Sequence, residues 1–198
     1  MGAIYYLKYE AHPWVKSSPQ FLKGFLESVL GRKVTFANFL GTESDYIHKV
    51  EIFEDIECVI IHSSPIKNVY FLKNLTKLET LDLIHTDVED ISCLAELKNL
   101  KHLDLYAAPV EDVSFLKNLT KLESLKLNGT EVKDISALEK LTSLKELSLS
   151  STDVEDFRTI SNYINLEKLD LISTKVIDLN FVKSLNKLKT IQNHPIKK

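Results

Sequence analysis

His102 and Asp104 stand two residues apart, and Ser124 follows the histidine by 22 residues, the same interval that separates Asp82 from Asp104. Serine, histidine and aspartate are the residue types of nucleophilic acyl transfer. Two aspartates with His85 and His102 are types that ligate zinc or manganese. The spacing argues against both chemistries. Residues two apart on an extended strand are separated by about 6.6 Å, too far for Asp104 to orient the His102 ring. No strained turn that would expose a nucleophile surrounds Ser124. Side chains on an open sheet do not close a coordination shell or supply its supporting hydrogen bonds. The expectation is a protein with no catalytic residues, no cofactor and no metal site.

The interval itself carries the stronger signal. Leu78 to Ser92 follows the frame Leu-x-x-Leu-x-Leu-x-x-Thr-x-Val-x-Asp-Ile-Ser, and its ninth position recurs at Ser64, Thr86, Ala108, Thr130, Thr152 and Thr174, each 22 residues from the last. A sustained period in the twenties means a solenoid, in which each unit buries its apolar face on its neighbours. Strand alternation points Leu81 and Leu83 inward and Thr80, Asp82 and Ile84 outward. Val88 then returns to the core. Asp90 is placed to bond free N–H groups at the start of a convex segment near Ser92, from which Leu94 and Leu97 turn back inward. That segment is too short for a long α-helix, so 3-10 turns are predicted.

This frame resembles the leucine-rich repeat, and its 22-residue length with Asp-Ile-Ser resembles the bacterial internalin-like class. The resemblance implies an α/β fold: a right-handed horseshoe solenoid with a parallel sheet on its concave face, short 3-10 or helical turns on its convex face and a helical N-terminal cap. It departs from the family at the ninth position, where Asn is usual and this chain has Thr or Ser. A hydroxyl still reaches backbone at the turn, with fewer donors and acceptors than an amide. The resemblance implies protein binding, as an adhesin-like module or as a regulator or inhibitor.

Two segments follow. Residues 1–33 read as a cap, with a strand at Ile4 to Tyr9, a capping box at Ser17 and Gln20, and an apolar helical stripe from Phe21 to Leu30 that Gly31 ends. Residues 34–198 hold about eight turns, the first degenerate (Val34, Ala37, Phe39, Thr42, Ile47, Val50, Phe53) and the last failing at Asn193.

Equivalent outward positions on parallel strands form rows. The second-position row, from Glu79 to Lys189, alternates in sign and reads as a solubilising rim. The third, fifth and seventh rows make the concave face. There Ile60, Ile84 and Tyr106 lie beside His62, Asp82, His85, His102, Asp104 and Lys126, a mixture of apolar anchors and polar surround that suits a protein interface. Between Ser124 and Ser151 the face is small and polar. Asp82 and Asp104 are like charges on neighbouring strands, with Lys126 the nearest compensator.

The chain has a net charge of −3 and two arginines, Arg32 and Arg158, which gives no footprint for nucleic acid. No run is long enough to insert into a membrane. The partner expected is another protein. Cys58 and Cys93 fall at different frame positions and are expected as free thiols, which suits a reducing compartment. Met1 to Tyr9 lacks the basic start and apolar core of a signal peptide, so a cytoplasmic location is expected, or a secreted or surface one if a leader has been removed. A monomer is expected, or a homodimer paired through the apolar C-terminal end at Phe181, Leu185, Leu188 and Ile191, an alternative assembly role.

Overall fold

The structure, a computed structural model, describes residues 36–40, 51 and 54–192. The predicted cap and most of the degenerate first turn lie outside these residues, as does Asn193. The strands are Phe36–Leu40 (β1), Cys58–His62 (β2), Thr80–Asp82 (β3), His102–Asp104 (β4), Ser124–Lys126 (β5), Glu146–Ser148 (β6), Lys168–Asp170 (β7) and Thr190–Gln192 (β8). They form one parallel sheet in sequence order. The register advances by one repeat at every step: Leu81, Leu103, Leu125 and Leu147 are successive partners, as are Asp82, Asp104 and Lys126.

The leucine spine is buried as the frame requires. Leu81, Leu83, Val88, Leu94 and Leu97 are inaccessible to solvent, and so are their equivalents in the next two repeats. Opposite the sheet, short 3-10 turns at Tyr70–Leu72, Ser92–Glu96, Ser114–Asn118, Ser136–Leu138, Arg158–Asn162 and Asn180–Ser184 close each unit. Thirteenth-position aspartates start the last five of them. The Ser92, Ser114, Ser136, Arg158 and Asn180 N–H groups donate to Asp90, Asp112, Asp134, Asp156 and Asp178 at 2.7, 2.7, 2.7, 3.0 and 2.8 Å. These bonds satisfy donors that a helical start leaves open. The second-position rim pairs as predicted: Lys101 with Glu79, Lys145 with Glu123 and Lys189 with Glu167.

The ninth position shows why threonine suffices there. The buried Thr86, Thr130, Thr152 and Thr174 hydroxyls donate to the carbonyls of Leu83, Leu127, Leu149 and Leu171 at 2.6–2.8 Å. One position before it, the backbone is left-handed: Ser63, His85, Ala107, Ser151 and Ser173 have φ of 52–57°, and Gly129 has φ of 64°. Such a φ costs a non-glycine residue roughly 1–2 kcal/mol. It persists because the turn carries the ladder onward. The Ser63, His85, Ala107, Gly129 and Ser151 N–H groups donate to Ile84, Tyr106, Asn128, Ser150 and Ile172 carbonyls of the next repeat.

Ala108 occupies the ninth position without a hydroxyl, between Thr86 and Thr130 in the stack. Ala108→Thr is expected to raise stability by about 1 kcal/mol through the added bond to the Leu105 carbonyl. A urea midpoint at or below that of the parent would contradict it.

Candidate protein-binding face

The fifth-position row sets Ile60, Asp82, Asp104 and Lys126 side by side on β2 to β5. All four are half-buried on the exposed sheet face. His102 lies on β4 and is exposed, while Ile84, His85 and Tyr106 stand just past the ends of β3 and β4. Eight of the nine predicted residues therefore lie in the outward rows of the sheet, and the ninth, His85, lies in the turn after β3.

The two aspartates are held in the same way and pulled apart. Each carboxylate accepts, through Oδ1, the backbone N–H two residues on: Ile84 to Asp82 at 3.3 Å, Tyr106 to Asp104 at 3.0 Å. Their Oδ2 atoms turn to opposite neighbours. His62 Nε2 lies 2.9 Å from Asp82 Oδ2, without the alignment of a good hydrogen bond. Lys126 Nζ donates to Asp104 at 3.0 Å. Burial pushes the Asp82 carboxyl above the usual carboxylate range, with Asp104 adding to the effect and His62 opposing it. The bond to Asp104 raises Lys126. Repetition along rows predicted the Lys126 contact. It missed His62, because that pair is diagonal: the seventh position of one repeat meets the fifth of the next.

His85 packs on Tyr106. Its ring meets Tyr106 edge-on, with centroids 4.9 Å apart and planes at 88°. The backbone at His85 is left-handed, with φ of 52°. Among the described residues, no three histidine, cysteine or acidic side chains converge as metal ligands. Ser124 Oγ approaches Glu146 at 3.4 Å rather than serving His102. A shallow depression of about 390 Å³ lies over β3 to β6, lined by Asp82, His102, Asp104, Ser124, Lys126 and Glu146, among others.

The polar half of the face is bonded largely within itself, although Asn128 Oδ1 is buried without a partner. Asp170 accepts from Ser148 Oγ at 2.9 Å, Asn128 Nδ2 at 3.3 Å and the Ile172 N–H at 3.0 Å. The apolar half is not: Tyr106 remains 42% exposed beside Ile84.

The family profile described as leucine rich repeats in two copies matches residues 76–118 and 120–162. An internalin, InlF, of Listeria monocytogenes has a solved structure with 29% identity to this chain and a TM-score of 0.79, covering 87% of this chain and 49% of that one. Residues 76–162 thus carry leucine-rich repeats, and the fold is similar to that of the internalins. The chain spans about half the length of InlF. Internalin C2 of the same organism shares the fold at 21% identity and a TM-score of 0.71, over 87% of this chain and 92% of that one. A leucine-rich-repeat protein of Leptospira interrogans shares it at 16% identity and a TM-score of 0.59, over 84% and 49%. No curated protein matches this sequence. In a leucine-rich-repeat protein the frame residues serve the core, so function is read from the outward rows. Among the described residues, no helix is long and apolar enough to cross a membrane.

Proposed function

We propose that this leucine-rich-repeat protein is a non-enzymatic scaffold that binds another protein through its exposed sheet face. Ile60, Ile84 and Tyr106 are the anchors, and His62, Asp82, His85, His102, Asp104 and Lys126 are the polar surround. The observation that carries the proposal is Tyr106, an aromatic ring with no core to fill, held upright against His85 and exposed beside Ile84. Rigid aromatic anchors with polar neighbours carry most of the energy at protein interfaces. Repeat solenoids generally use such an extended sheet surface for recognition.

Of the two roles that the fold admits, regulator and adhesin, the free thiols favour a regulator in a reducing compartment. Cys58 and Cys93 are unpaired and half-buried, and burial pushes both thiols up to about 11. A partner isolated on the wild-type chain from native cells provides the test. Tyr106→Ala and Ile84→Asp should each weaken its affinity by about tenfold or more, with unfolding midpoints close to the parent. Affinity unchanged in both variants would refute the proposal.

A further inference from the structure

We infer that the partner seats an arginine across Asp82 and Asp104, with an apolar neighbour resting on Ile84 and Tyr106. This rests on the sheet-face reading above and adds the chemistry of the ligand. Rim charges cancel locally, because Glu79, Glu123 and Glu167 are each paired with a lysine. The outward rows of β3 to β7 do not cancel: Asp82, Asp104, Glu146 and Asp170 outnumber Lys126 and Lys168.

Two of these carboxylates, Asp82 and Asp104, adjoin on neighbouring strands. Like charges directly across neighbouring strands are destabilising. Asparagine would accept the same Ile84 and Tyr106 N–H bonds without that repulsion. The compensating groups sit outside the pair, His62 on the β2 side and Lys126 on the β5 side, so neither lies between the two. The Asp82 and Asp104 side chains are only 20% and 15% exposed, which weakens screening by water. Strands about 4.8 Å apart place the carboxylates within reach of one guanidinium, whose planar fork can bond both. Its aliphatic stem would lie along Ile84 and Tyr106.

The experiment selects peptides of about twelve residues from a random displayed library on the immobilised chain. Synthetic copies are then titrated against wild type, Tyr106→Ala and the double variant Asp82→Asn/Asp104→Asn. Enriched peptides are expected to place arginine beside an aromatic or aliphatic residue and to lose about tenfold or more on both variants. Replacing that arginine by citrulline, which keeps the shape and removes the charge, should lose as much. The citrulline arm decides the matter even if the double variant folds poorly. Peptides that fail on Tyr106→Ala but tolerate citrulline and the double variant within about twofold overturn the arginine assignment and leave the sheet-face reading standing. Peptides indifferent to Tyr106→Ala, or an absence of enrichment, overturn the sheet-face reading and this inference with it.

Discussion

Leu125→Ala is expected to lower the unfolding free energy by about 3 kcal/mol and the melting temperature by about 6–12 °C. Leu125 is wholly buried at the centre of β5, in register between Leu103 and Leu147. Truncation removes the transfer free energy of the leucine and leaves a cavity between two layers. In a globule, side chains from several directions relax into such a space. In a stacked array the layers above and below are the main source of atoms, and their own leucines are fixed by the next layers along. The site is also central, so weakening it loosens the coupling between the two ends of the array. The transition should broaden as well as move. Urea unfolding followed by far-ultraviolet circular dichroism checks both. A midpoint and slope equal to the parent's would mean that the layers are not mutually dependent.

That prediction needs only the period and the strand alternation, and this is the part of the molecule legible in the sequence. The 22-residue frame named the inward leucines, the strand neighbours of Asp82 and Asp104, the capping role of Asp90 and the rim pairs. Each depends on one position repeating faithfully. What escaped depends on departures from the frame or on diagonal geometry. The left-handed eighth position was hidden because only Gly129 advertises it, while serine, histidine and alanine occupy the others. Those residues are tolerated there by the N–H bond each makes to the next repeat, which is invisible before the strands are aligned. His62 with Asp82, and Asn128 with Asp170, cross rows or skip a strand, so comparing equivalent positions does not find them.

One departure from the frame lies in the core and supplies the second large effect. At the position where Leu75, Leu97, Leu119, Leu141 and Leu185 repeat, the chain has Tyr163, fully buried, its hydroxyl donating to the Leu138 carbonyl at 3.2 Å. Tyr163→Ala is expected to destabilise by about 3–5 kcal/mol through the cavity it leaves. Tyr163→Phe keeps the ring and should lose only about 1 kcal/mol near neutral pH. At alkaline pH the order reverses. Burial pushes the Tyr163 phenol well above its ordinary value of 10.0. Stability from the protonated, buried phenol is therefore fully present below about pH 10, where the unfolded chain also keeps the proton, and it is lost as pH rises toward the folded value, by at most about 1.4 kcal/mol per pH unit. Cys58 and Cys93, raised from 9.0 to about 11, act with the same sign, but equally in both proteins. The difference between wild type and Tyr163→Phe thus isolates the phenol. Between about pH 10 and pH 12 the phenylalanine variant should lose stability more slowly and overtake the parent. Parallel stability curves through that range would show that the hydroxyl reaches solvent, and that the packing around Leu138 and Tyr163 is looser than the buried geometry requires.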